Sequence, residues 1–194
     1  MDDYSLNLSN NLRKLTDKNQ LQFAFWITKR LFHNYVFFSK KTTFGNIDVM
    51  LDALNLIEAY MLKGIRNEIE IREVIEKVEE NTPDTNDFST ITVSFALDSC
   101  NAINECLRFI LDKDIKHIIN TGVFFRDTID MFIQEKEDLD YSALDFENKI
   151  QSHEIMIREM GAKKAFLSKL KKNPNESLLK VMVYDKVINP ELVW

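Results

Sequence analysis

At 194 residues, with 45% hydrophobic and 29% charged side chains, the chain has room for one sizeable core and the balance of an ordinary globular protein, which excludes a disordered or fibrous one. Its net charge of -6 offers phosphate backbones no general attraction, so nucleic acid is not an expected partner. Four Gly and three Pro are too few for the turns of a β-sandwich or barrel, and no stretch approaches the ~18 uninterrupted apolar residues of a membrane span, so an all-α, cytoplasmic protein without membrane contact is expected.

The first apolar pattern, Leu6, Leu8, Leu12 and Leu15, is short and amphipathic. Asp17 stands three residues before Gln20, a spacing that satisfies free amides at a helix start, and predicts a helix over about 18–32. Leu21, Phe23, Ala24, Phe25, Trp26, Ile27 and Leu31 cover more than one of its faces, which places it between neighbours. Aromatic density continues through 33–38, and the polar segment 39–46, with the first glycine at Gly45, reads as a connection. Asn46 is placed to cap a helix carrying Ile47, Met50, Leu51, Leu54, Ile57, Met61 and Leu62 at three- and four-residue spacing. Gly64 ends it, and Asn67 with Glu70 forms a second capping pair ahead of Ile71, Val74, Ile75 and Val78. Turn and cap residues around Pro83 follow.

The segment 88–111 carries the most apolar surface. Thr90, Ile91, Thr92 and Val93 would suit a strand, but the continuation is helical: Phe95, Leu97, Cys100, Ala102, Ile103, Cys106, Leu107, Phe109 and Ile110 cover most of the circumference. Ser94, Asp98, Asn101, Glu105 and Arg108 remain as a narrow polar stripe, so 88–111 is the expected central buried helix of a single-domain multi-helix bundle. Asp114 caps the next helix, in which Gly122 permits close approach of a neighbour. Beyond an acidic stretch from Glu135 to Glu147, Ser142 and Asp145 have capping spacing, and apolar positions from Phe146 to Leu170 predict one helix, long or interrupted at Gly161. Asn173 and Pro174 stop it, which divides the chain into a helical domain, 1–173, and a C-terminal short helix and tail, 174–194.

Asp98 and Glu105 lie two turns apart on one face, ~10 Å along the axis. Such carboxylates serve as metal ligands or as acid and base when other helices complete the set, but the Glu-x-x-His signature of dimetal bundles is absent. Ion pairing with Arg108, Arg126 or a helix amino terminus accounts for them more simply, and no metal is assigned. His33, His117 and His153 have no ligand spacing and suit surface or capping roles. Cys100 and Cys106, six residues apart on a helix, point in different directions and read as reduced, buried, structural thiols. Lys40, Lys41, Thr42 and Thr43 precede a helix amino terminus and could hold an anion there, although a solvated loop is the simpler reading. Lys163, Lys164, Lys169, Lys171 and Lys172 read as a solvated helix face. With no Gly-rich phosphate loop, nucleophile elbow or dinucleotide fingerprint, no catalytic residue and no cofactor are assigned.

Asn34, Tyr35 and Phe38, then Thr43, Phe44 and Gly45, then Pro83, Asp87 and Phe88, then Ala96, Leu97, Asp98 and Cys100 resemble the YjaG-like family, the bacterial domain of unknown function 416, over about 21–160. The resemblance implies an all-α fold and brings no established activity, cofactor or catalytic residue. The chain departs from the family's pattern at His33, where a proline is usual, and at Asn46, where an Asp is usual. The leading expectation is a non-enzymatic helical module for protein interaction or regulation, with an immunity-like partner or self-association as its forms. The alternative is a small-ligand or metal-binding helical domain whose pocket is lined by Tyr35, Phe44, Asp98 and Glu105.

Overall fold

Side chains at the segment boundaries decide where most helices begin. The computed structural model describes residues 2–173, 182 and 184–188, and among these it contains eight α-helices and no strand. They are α1 (Asp3–Leu12), α2 (Asp17–Thr42), α3 (Ile47–Lys63), α4 (Glu68–Glu80), α5 (Thr92–Asp112), α6 (Ile115–Lys136), α7 (Phe146–Ser152) and α8 (Glu154–Lys172), with one 3₁₀ turn at Thr85–Asp87. Asn46, Asn67 and Asp114 each accept a backbone N–H of the first turn that follows, as their positions in the sequence predict. The cap of α2 is Thr16 and not the Asp17–Gln20 pair, because the Gln20 amide is drawn away to the carbonyls of Leu12 and Leu15, where it ties α1 to α2. Asp145 makes no side-chain cap.

Three boundaries differ from the expected ones. Helix α2 runs on to Thr42, since Phe38 and Ser39 are still buried and Lys40 and Lys41 suit the negative end of a helix; the connection shrinks to 43–46 after Thr43 turns left-handed at φ 59°. Helix α5 begins at Thr92 rather than 88. Phe88 is held extended by aromatic packing, its ring edge-on to Phe38 at 4.9 Å and to Phe44 at 5.5 Å. The last helical stretch breaks at His153 and not at Gly161: His153 is extended at φ -65°, ψ 137°, and its Nδ1 accepts the N–H of Ile155 to start α8.

Helices α2 and α5 form the central pair, so the expected central helix shares its place with the aromatic one. Helix α6 packs against both, α3 and α4 close one side, and α1 and α8 rest on α6 at the other. Phe23, Phe25, Phe95, Phe109, Phe125 and Phe132 are fully buried at this junction, each worth ~1.5–3 kcal/mol of apolar burial. Residues after α8 return to the core: Val187 and Ile188 are buried, and the Asp185 carbonyl accepts from Arg30 Nε at 3.0 Å. The short helix expected to follow Asn173 lies outside the described residues. Among those residues no helix is long and apolar enough to cross a membrane.

Gly122 provides the close approach expected of it. A Cβ there would lie 2.3 Å from Leu8 Cδ2, and the Tyr4 hydroxyl donates to the Gly122 carbonyl at 2.7 Å, so α1 rests directly on the backbone of α6. Gly122→Ala pushes Leu8 out of its place in the core and lowers stability in urea denaturation by about 2 kcal/mol. An unchanged midpoint would show that α1 is not seated this tightly.

Candidate functional site

The polar stripe of α5 divides between two neighbours. Asp98 turns to α6, where it is 9% exposed and accepts a hydrogen bond from the Thr128 hydroxyl at 2.7 Å. Burial pushes its carboxyl up to about 7; the Thr128 bond opposes that rise and the nearby Asp127 adds to it. Seven residues on, Glu105 meets the first turns of α6, paired with His117 Nδ1 and accepting from Asn120 Nδ2 at 3.0 Å. His117 Nε2 reaches Asp112 at 3.0 Å. Burial opposes the imidazolium, but hydrogen bonds to Asp112 and Glu105 outweigh it and raise the His117 pKa. Neither carboxylate takes the arginine partner the sequence suggests. Arg108 pairs with Glu79 at 2.7 Å, and Arg126 pairs with Asp2 and Asp127 at 2.7 and 2.9 Å.

Above the stripe, α5, the end of α4, the loop at 82–85 and Phe124 of α6 enclose a groove of about 560 Å³. Thr82, Asp84, Asn101, Asn104 and Glu105 are polar members of its lining, and the Glu79–Arg108 ion pair borders it. Asn104 is the unusual member. It is 6% exposed, and its Oδ1 is buried without a hydrogen-bond partner, a state that costs ~1–3 kcal/mol. Its place at 101, 104 and 108 follows the same three- and four-residue spacing as the stripe, so the signal was present in the sequence.

Of the four residues expected to line a pocket, Glu105 is on the wall of this groove; Tyr35, Phe44 and Asp98 are not. Tyr35 is fully buried and donates to the Asn81 carbonyl at 3.0 Å, next to Thr82 on the groove wall. The backbone of Gly45, at φ +73°, packs so closely that a Cβ there would lie 2.2 Å from the Tyr35 oxygen. Phe44, half-buried, joins Phe38 and Phe88 in an aromatic cluster beside it. The segment read as a solvated loop, with anion binding as its alternative, is largely helical: Lys40 and Lys41 belong to the carboxyl end of α2, Lys41 lies over the Phe37 ring, and Asn46 already occupies the start of α3.

Cys100 and Cys106 are free and buried, and burial pushes both thiols up to about 12, out of reach of thiolate chemistry at neutral pH. His33 Nε2 lies against the Tyr184 carbonyl at 3.2 Å, and His153 caps α8. Among the described residues no three His, Cys, Asp or Glu side chains converge on a metal-sized space. Lys163 departs from the solvated face assigned to it: at 8% exposure it is buried against α1.

Residues 7–183 match the sequence profile of the family described as protein of unknown function, DUF416. The chain is 27% identical over 113 residues to two proteins described as uncharacterized protein YjaG, from Salmonella typhimurium and Salmonella typhi, and spans 57% of the length of each of these curated relatives and 57% of its own. Among solved structures, a DUF416 family protein from Shewanella baltica superimposes with a TM-score of 0.81 at 27% identity, over 90% of each chain.

Proposed function

The chain belongs to the DUF416 family of proteins of unknown function, and on that footing we propose that it is a non-catalytic cytoplasmic module that binds a small polar ligand in the groove beside α5. The observation that carries this reading is a groove within the ~300–1,000 Å³ range of ligand sites whose wall includes Asn104, a residue with its amide oxygen buried behind that wall and unpartnered. Glu79, Asp84 and Glu105 outnumber Arg108 around it, which favours a ligand rich in N–H or O–H donors, an amine or a polyol. Tyr35 and Phe44 then act by holding the Asn81–Thr82 edge of the groove, and Asp98 by seating α5 on α6, while Glu105 touches the ligand. Thermal-shift screening of amines and polyols tests this. Compounds that raise the wild-type midpoint are expected to leave Asn104→Leu unmoved, and the variant itself keeps its stability because the orphaned amide is gone. Hits that bind Asn104→Leu as well as wild type, or a screen without hits, count against the reading.

A protein-interaction role has its own observation. Leu62, Ile65 and Ile69 follow one another around the α3–α4 corner at 56%, 71% and 72% exposure, an apolar run on an otherwise charged surface. If this corner mediates self-association, light scattering finds a dimer that Ile65→Asp with Ile69→Asp converts to a monomer; a wild-type monomer at all concentrations removes it.

A further inference from the structure

On the opposite side of α6 from the groove, α1 and α8 border a cleft of about 750 Å³. Lys163 is built into its wall. Its Nζ donates to the Tyr4 hydroxyl oxygen at 2.8 Å and sits 4.1 Å from the centre of that ring, while the hydroxyl proton goes to the Gly122 carbonyl. The ammonium therefore has a neutral oxygen and a ring face for company. Among the described residues no carboxylate lies within 4.0 Å of it: Asp3, on the cleft wall, stands farther off, and the other neighbouring acids are engaged elsewhere. Asp2 and Asp127 hold Arg126, whose guanidinium lies 4.5 Å from the same Tyr4 ring, and Glu159, one turn earlier on α8, holds Arg30 and Arg158. A buried cation is normally paired or neutralised, and this one is neither paired nor remote from a cavity.

We propose that this cleft is a second binding site, independent of the groove beside α5, which takes a small amphipathic anion: a carboxylate head on Lys163 and an apolar chain against Leu8, Met160 and Leu167. The head supplies the counter-ion that the protein withholds. Lys164 and Lys171 add positive charge along the cleft, with Lys171 steadied by Asn11 at 2.7 Å, and Asp3 is the opposing acid on the wall. An inorganic ion alone would leave most of the volume and its apolar side chains uncovered.

The site also has a pH signature. Burial, with Arg126 nearby, lowers the Lys163 pKa to about 8. The groups that face it are Tyr4 and Asp3 from α1, Arg126 with its partners Asp2 and Asp127 at α6, and Lys164 and Lys171 on α8. Tyr4 and Arg126 are pushed up and Asp2 down, away from that value, so the Lys163 charge is lost, and anion affinity falls, as pH rises through about 8.

Titration calorimetry of the full chain with decanoate, whose head stays ionised from pH 7 to 9.5, tests the proposal. One decanoate is expected to bind per chain at pH 7, with acetate and decanol at least ~10-fold weaker, a ~10-fold loss of affinity by pH 9.5, and a similar loss in Lys163→Met at pH 7. Asn104→Leu is expected to bind decanoate like wild type, which separates failure here from failure of the groove reading. The wild-type pH profile decides the matter if Lys163→Met does not fold. Absence of decanoate binding, a flat pH profile, or undiminished binding by a folded Lys163→Met overturns the proposal. So does a protein that sediments with anionic vesicles but ignores monomeric decanoate.

Discussion

Asp98→Asn stabilises the fold by about 4 kcal/mol at pH 8 and hardly at all at pH 4, as read from urea denaturation at the two values. In the unfolded chain an aspartate loses its proton near ~3.9, whereas in the folded protein burial holds the Asp98 proton to about 7. Between those values the native state binds more protons than the unfolded one, so stability falls by ~1.4 kcal/mol for each pH unit. Below the window both states are protonated and the full stability is present; above it the loss is complete. An asparagine copies the protonated acid in shape and keeps an oxygen to accept the Thr128 hydroxyl, without a charge to bury. A destabilised variant at pH 8, or an effect independent of pH, would show that the buried carboxylate is not the source of the cost. Because Asp98 is off the groove wall, ligand-induced thermal shifts are expected to survive the substitution, and their loss would move Asp98 into the site.

Glu159→Ala is expected to lose about 3–5 kcal/mol at neutral pH, the range for removing one partner of a buried ion pair. Arg30 and Glu159 have side chains 7% and 2% exposed and meet at 2.7 Å, joining α2 to α8. The Arg30 guanidinium lies over Trp26 at 4.6 Å and Phe125 at 5.6 Å, its Nε is held by the Asp185 carbonyl, and its Nη1 has no partner even in the intact protein. Without Glu159 this cation stays buried on two rings and one carbonyl. Arg158, the other partner of Glu159, is 61% exposed and returns to water at little cost. The pair is therefore asymmetric: Arg30→Met leaves Glu159 with Arg158 and loses less. Arg30→Met with Glu159→Leu is expected to recover most of the stability, with a coupling energy that a double-mutant cycle reads directly. Hydrogen exchange should also rise at 184–188, which Arg30 helps to hold. A loss below about 1 kcal/mol in Glu159→Ala would mean that water already reaches the pair.

Both predictions concern groups whose identity was visible in the sequence and whose circumstances were not. Asp98 and Glu105 stand out as a polar stripe on an apolar helix, but Thr128, 30 residues away, and His117 on the next helix answer them in place of any arginine. Lys163 in a run of lysines has the sequence signature of a wet helix face, and it is buried because Tyr4, 159 residues earlier, lies across it. Glu159 carries no local signal that separates it from the exposed acids of the chain, and Arg30, 129 residues earlier, is what pairs with it in the interior.

Where the governing physics acts within about four residues, the chain alone is enough. The all-α class, the caps at Asn46, Asn67 and Asp114, the apolar length of α5 and the close approach at Gly122 follow from hydrogen-bond closure at helix ends and from side-chain periodicity. Packing decides the rest. That α2 continues past its aromatic run, that α5 waits until Phe88 has joined Phe38 and Phe44, and that the break falls at His153 are outcomes of contacts between distant segments. The groove beside α5 and the cleft at Lys163 exist for the same reason, because a cavity is made by the walls that meet around it and no single helix carries more than one of them.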